Sequence, residues 1–437
     1  MRRKIVHPQA DELIYEIRGV VQSAKRMEQA GQKLIWENIG DPVAKGEKVP
    51  EWIIEHMQAV VSDYKSWGYS PTQGIDEARE YLAGLNNARG GVQIESGDIF
   101  FYNGLADAVN KLYGYLDAGV RVLAPSPCYP IHSSRERFHA GLGAEAVQYT
   151  MTPANNWLPE LDEIRQKVKD NPSIAAIAII NPDNPTGAVW PEESVRGVVE
   201  IAGEYGLFVV ADEIYSRLTY NGKSGTMLSS VVGKVPAISL KGISKEYPWP
   251  GSRCGWMECY NVDSDPDFKR YVQCMFDAKM QEVCATTQPQ MTIPRVMDDS
   301  RYEGHLESRR AAYGKRSVEF AKAFEGLEGV MAVRPDGAFY APVAFADGVL
   351  NDSQSLPVEN TGVKAVLDEV LAKGNLSPDK RLTVHLLAAC GICTVPLSGF
   401  NTRVPGFRMT VLEQDDAKRA RTLKTLREKI EEYIASA

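Results

Sequence analysis

No apolar stretch in this chain approaches the ~20 residues that a membrane-spanning helix requires, so no helical span is expected. The basic start, Met1-Arg2-Arg3-Lys4-Ile5-Val6-His7-Pro8, has no apolar segment behind it. It does not read as a secretory signal, which leaves a cytoplasmic protein as the expectation. Cysteine is scarce: seven residues, at 128, 254, 259, 274, 284, 390 and 393, are odd in number and scattered. That pattern suits reduced thiols and excludes a disulfide framework. Cys390-Gly391-Ile392-Cys393 has redox or metal spacing, but no second pair lies near and none of the six histidines is well placed. Small apolar filler at a strand start is the expected role, and no metal is expected. Charge of one sign is also in short supply. A formal net charge of −8 is small for this length and argues against nucleic acid as a partner. Internal repeats and low-complexity segments are missing too.

What the chain does have is length and apolar content: 437 residues, 44% of them hydrophobic, enough for a large core and two domains. Between 105 and 240, helix-like stretches (105–117, 132–140, 193–204) alternate with apolar runs (120–125, 174–180, 206–211, 236–240). Such alternation predicts a doubly wound, mostly parallel α/β sheet. Earlier, Leu13, Ile14, Ile17, Val20, Val21 and Ala24 recur at three and four, which predicts a helix within 11–34. After about residue 300 the grain changes. Long charged helices at 300–325 and 414–435 flank the strand-like Val333–Tyr340 and Phe407–Leu412, as in a smaller α+β unit. Residues 347–362, rich in Asp, Ser, Asn and Pro, read as an exposed loop.

Three apolar runs end in polar residues of chemical interest. Ala237-Ile238-Ser239-Leu240 leads to Ser244-Lys245-Glu246-Tyr247-Pro248-Trp249-Pro250-Gly251-Ser252-Arg253. A lysine can form an imine with a carbonyl, and an arginine offers a planar fork to a phosphate. Ile174–Ile180 opens into Asn181-Pro182-Asp183-Asn184-Pro185-Thr186-Gly187, and Gly206–Ala211 runs into Asp212-Glu213-Ile214-Tyr215. In an open parallel sheet, ligands bind beyond the carboxyl ends of the strands, so these residues can converge.

These motifs, in this order and with Phe407-Arg408-Met409-Thr410 near the end, resemble the class I/II aminotransferases. Those are pyridoxal-phosphate enzymes of the aspartate aminotransferase fold family, fold type I. The resemblance spans most of the chain and implies a seven-stranded sheet in a large cofactor-binding domain, residues 51–300. A smaller domain would combine residues 1–50 with 301–437. It further implies that Lys245 holds the cofactor as a Schiff base and, once released, shuttles a proton. Asp212 would pair with the pyridine nitrogen, and Tyr215 and Asn184 with the ring's phenolic oxygen. Arg253, Ser244 and the loop Gly104-Leu105-Ala106 would take the phosphate. Tyr129 would stack on the ring, and Arg408 would take the substrate carboxylate in a bidentate pair. Gly40 would lie at the site mouth, and Tyr69 would reach the phosphate of a partner chain, making the active unit a homodimer with composite sites. By the residues alone, Gly40-Asp41-Pro42 is equally a turn, Tyr69 a loop aromatic and Tyr129 a core residue.

Two departures from the family pattern stand out. Residues 103–107 lack the hydroxyl or lysine side chains often found in that loop, leaving phosphate contacts to the backbone of Leu105 and Ala106. Gly242 stands where many relatives carry serine. Gly391–Phe400 followed by Phe407–Thr410 resembles alanine aminotransferases more than aspartate enzymes. The expected reaction therefore moves an amino group between alanine, or another neutral or aromatic amino acid, and 2-oxoglutarate, with aspartate kept as a further donor. Arg295 and Arg301 are candidates for a second carboxylate, without a motif to support them. A β-lyase or decarboxylase of the same fold is the near alternative. A non-catalytic effector-binding domain is the remote one, and such domains carry a winged-helix segment in front.

Overall fold

A computed structural model of the chain describes residues 5–7, 10, 16–141, 144–374 and 376–437. The apolar runs form the centre of the molecule. Ile174–Ile180, Phe208–Asp212 and Ala237–Gly242 are nearly continuous strings of buried Ile, Val, Ala and Leu. Strands of this kind must be covered on both faces, which is the condition of a parallel sheet clothed in helices. Seven strands lie side by side in the order Ile99–Tyr102, Gly255–Tyr260, Ala237–Gly242, Phe208–Asp212, Ile174–Ile180, Arg121–Ser126, Gln148–Thr150. Gly255–Tyr260 runs antiparallel to both of its neighbours, and the other pairings are parallel. This is the predicted α/β class.

Helices close both faces. Val109 and Leu112 of Leu105–Gly114 and Phe268 and Val272 of Pro266–Glu282 pack against Val210, Ile238 and Met257. Val195, Val198 and Ile201 of Glu192–Tyr205 pack with Ile177, Ile179 and Val209 on the other side. Register then aligns the strand ends: Ile180 lies beside Asp212, and Asp212 beside Leu240. Their carboxyl ends therefore finish in step, which brings Asn181–Gly187, Asp212 and the turn to Lys245 to one edge.

A second, antiparallel sheet has the order Val395–Pro396, Gly406–Thr410, Tyr340–Phe345, Val330–Met331. The helices Tyr302–Phe324 and Asp416–Ala435 bury Phe320, Phe324, Leu426 and Ile430 in the same apolar cluster as its strands. The short strand Ile35–Trp36 pairs in parallel with Ile392–Cys393 and so lays the N-terminal segment beside the C-terminal one.

Several expectations need adjustment. The early helix is Glu16–Gln29; it stops before residue 34 because Gly31 adopts φ +98° and Gln32 N–H bonds back to Met27 O. Leu13 and Ile14 fall outside the described residues. The stretch 347–362 forms no helix or strand before Thr361, yet it is not simply exposed: Leu350, Gln354 and Leu356 are buried. The Gln354 amide accepts from Asn351 N–H and donates to Val349 O, tying the loop to itself. Cys393 packs with Ala24, Met27 and Val363, and the Cys390 thiol donates to Leu386 O. Among the described residues no helix is long and apolar enough to cross a membrane.

Candidate active site

A cavity of about 590 Å³ opens at the carboxyl ends of the parallel strands. Of the residues singled out by sequence, Gly40, Leu105, Ala106, Tyr129, Asn184, Asp212, Tyr215, Ser244, Lys245, Arg253 and Arg408 line it. Gly104 stands directly behind Arg253. Tyr69 is not brought in; it is 87% exposed on the surface. Arg295 and Arg301 do not line the cavity either, and Arg301 is engaged by Asp299 and lies over Trp52.

Lys245 sits at the end of the one-turn helix Ile243–Glu246 that follows the strand Ala237–Gly242. Its Nζ donates to Gly40 O at 2.9 Å and lies 5.4 Å from the centre of the Phe339 ring. Burial, chiefly, pulls this amine down from 10.5 to about 8; Asp41 pulls the other way, and Arg408, Arg253 and Arg309 add to the lowering. A lysine so placed is a nucleophile near neutral pH.

Asp212 ends its strand with the carboxylate facing the cavity. His132 Nε2 lies 3.1 Å from Asp212 Oδ2, with Tyr113 Oη 3.4 Å from His132 Nδ1, and Ile214 N–H donates to Oδ1 at 3.2 Å. These contacts hold a buried carboxylate in one orientation. Tyr215 donates its hydroxyl to Tyr340 Oη at 3.1 Å, and burial drives the Tyr215 hydroxyl well above its usual range, so it stays protonated.

At another wall, Gly104 caps the helix Leu105–Gly114 with φ +86°, and a Cβ there would meet Arg253 Nη2 at 2.5 Å. Only glycine lets the guanidinium settle over the helix N-terminus. Arg253 and the first N–H groups of that helix together form a nook that could take an anion. The absence of hydroxyl side chains at 103–107 therefore leaves this nook intact. Gly242 has a separate reason: a Cβ would lie 2.9 Å from Cys254 O and 3.1 Å from Gly255 Cα, so a serine there would crowd the neighbouring strand.

Arg408, 2% exposed, is held between aromatic rings, with Tyr340 at 4.2 Å and Phe400 at 4.9 Å. It donates from Nη1 to Asn184 Oδ1 at 3.0 Å and from Nη2 to Asn38 O at 2.7 Å, while its buried Nε has no partner. An orphaned, buried guanidinium donor at a cavity wall is a ready position for a carboxylate. Asp183, on the same turn, is pushed up to about 7 by burial, and its Oδ2 accepts from Thr186 N–H and hydroxyl, which closes the turn.

The sequence profile of the aminotransferase class I and II family matches residues 33–423, which include every motif described above. The chain belongs to this family of aminotransferases. An uncharacterized aminotransferase of Methanocaldococcus jannaschii is 48% identical over 99% of this chain and 100% of its own. Glutamate-pyruvate aminotransferase of Escherichia coli is 29% identical over 76% of this chain and 80% of its own. Among solved structures, alanine aminotransferase from Pyrococcus furiosus superposes with a TM-score of 0.83 at 26% identity, over 98% of this chain and 100% of that one. Aspartate aminotransferase from Thermus thermophilus shares the fold, with a TM-score of 0.76 at 21% identity over the whole of both chains.

For an aminotransferase cavity, sequence reasoning missed four residues. His132 lies three positions after Tyr129 at the start of Pro130–Ala140, and nothing in that helix's periodicity marks it. Tyr340 belongs to a strand 300 positions after Gly40, and a Cβ on Gly40 would overlap its hydroxyl. Asn38 contributes only its backbone carbonyl, which side-chain motifs cannot show. Asp41 follows Gly40 in Gly-Asp-Pro, where a turn reading absorbs it.

Proposed function

We propose that this aminotransferase uses pyridoxal phosphate held by Lys245 to move an amino group between alanine, or another neutral amino acid, and 2-oxoglutarate. The observation that carries the reading is that one cavity joins a lysine amine lowered to about 8, the Asp212 carboxylate and the Arg253–Gly104 anion nook. Gly104, where any Cβ would collide with Arg253, and the partnerless Nε of Arg408 match a phosphate at one end and a carboxylate at the other.

When bound, pyridoxal phosphate supplies an aldehyde for the lysine and a protonated ring that accepts the electron pair left at the substrate carbon. The chain's own residues do the rest. Arg253 and the N–H groups of Leu105 and Ala106 would anchor the phosphate, with Ser244 beside them. Asp212, fixed by His132, would favour a proton on the ring nitrogen. Asn184 and Tyr215 would offer hydrogen bonds to the ring's phenolic oxygen, and Tyr129 would supply a flat face for the ring. Arg408 would orient the amino donor by its α-carboxylate, and Lys245 Nζ, freed when the donor's amine takes its place, would take the α-proton and deliver it to the carbon that had carried the cofactor's aldehyde.

For the substrate pair, support comes from the relatives named for glutamate, pyruvate and alanine, and from Val21 and Ile39, which give the cavity an apolar flank. For the homodimer it comes from the surface around Tyr69. Trp67 is 68% exposed, and Met280 and Val283 are exposed as well. Gly68 O and Ser70 Oγ bond to Thr287 Oγ1 and Ala285 O, and Thr286 bonds to Asn103 beside the anion nook. A second copy laid on this apolar strip would cover it and bring its own Tyr69 toward the phosphate. We also read residues 51–300 as the large domain, 1–50 with 301–437 as the smaller one, and the cytoplasm as the location.

The test is a screen of amino donors against pyruvate and 2-oxoglutarate. Alanine with 2-oxoglutarate should rank first, and Lys245→Ala should lose both turnover and visible absorption. Unreduced turnover in Lys245→Ala would end the assignment.

A further inference from the structure

Lys245 and Glu246 finish a helix of a single turn, Ile243–Glu246. So short a helix has no stability of its own, and its last carbonyls lack helical partners. Yet the aim of the Lys245 amine depends on this turn. Arg309, from the distant helix Tyr302–Phe324, supplies what the turn lacks: its Nη1 donates to Lys245 O and to Glu246 O, both at 2.7 Å.

The rest of the guanidinium is equally committed. Nε donates to Glu47 Oε1, and Nη2 to Tyr313 Oη at 2.9 Å; Tyr313 in turn donates to Glu47 Oε2 at 2.6 Å. Arg309 is 5% exposed. A charge buried this deeply is costly unless paired, and Glu47 pairs it. Glu47 belongs to the same N-terminal segment as Asn38 and Gly40, whose carbonyls meet Arg408 and Lys245. One arginine thus fastens both the backbone that carries the amine and the segment whose residues 38–41 line the cavity.

We propose that Arg309, braced by Glu47, is a positioning residue for Lys245, setting the orientation of its backbone and so the aim of its amine. The inference rests on the reading of Lys245 as the reactive amine. Arg309 is also one of the positive charges, after Arg408 and Arg253, that lower that amine against the opposing pull of Asp41. Losing it removes both the fork and the charge, whereas lysine in its place keeps the charge alone.

The experiment adds pyridoxal phosphate to cofactor-free protein, traps the adduct with borohydride, and follows its rate at the Lys245 peptide by mass, between about pH 6 and 10. Arg309→Met should slow attachment by about tenfold to a hundredfold and move its midpoint above about 8. Arg309→Lys should keep the midpoint and remain slow. Glu47→Gln, similar in volume, should show a smaller slowing; together with Arg309→Lys it decides the matter should Arg309→Met fail to fold. Attachment by folded variants within twofold of the wild-type rate overturns the inference while leaving the proposed function standing. Failure of wild-type protein to label Lys245 overturns both.

Discussion

At the scale of single residues, Lys245 has a consequence that needs no substrate. Its amine is lowered from 10.5 to about 8 in the folded chain. Below about 8 both folded and unfolded chains carry the proton, and the folded one bears the cost of burying it. Between 8 and 10.5 the folded chain has released the proton and the unfolded chain has not, so this group makes stability rise with pH in that window. Cofactor-free Lys245→Met should therefore be at least as stable as wild type at pH 7, with its advantage shrinking across the window. Denaturant midpoints over the pH range check this. A constant difference between the two proteins from pH 7 to 10.5 would mean that Lys245 is not lowered.

At the scale of elements, Gly104 is the point where strand, helix and Arg253 meet. Alanine there forces a side chain into φ +86° and against the guanidinium. Gly104→Ala should cost about 1 kcal/mol or more in stability and weaken pyridoxal phosphate binding. Titration of the cofactor-free variant with pyridoxal phosphate is the measurement, and an unchanged affinity would remove the anion nook from the account. The elements themselves were largely legible. Ile174–Ile180 and Phe208–Asp212 are buried on both faces, so they read as unbroken apolar runs, and the polar residues after them marked the site. One helix whose buried residues are mixed with charge was not, although the charged helices Tyr302–Phe324 and Asp416–Ala435 were. Pro266–Glu282 buries Phe268, Val272 and Met275 but also Lys279, which blurs its periodicity. Its capping Asp265, which accepts from Asp267 and Phe268 N–H, was the available signal. Contacts made by backbone carbonyls, as at Asn38 and Gly40, or across hundreds of positions, as between Glu47 and Arg309, leave no local pattern at all.

At the scale of the whole molecule, the exposed strip that includes Trp67 and Tyr69 carries the dimer proposal. Inactive Lys245→Ala and impaired Tyr69→Ala, unfolded together and refolded, should regain activity above either parent, because a mixed dimer has one site with both residues intact. Activity that never exceeds the parents' average, with chain exchange proven, would place Tyr69 in its own chain's service. The central claim is amino transfer itself, as distinct from release of ammonia by a lyase of the same fold. Its most direct test supplies alanine with an isotopically labelled amino group together with 2-oxoglutarate and follows the label. The account predicts label in glutamate, equal in amount to the pyruvate formed and dependent on Lys245. Label appearing as free ammonia, with glutamate unlabelled, would contradict it.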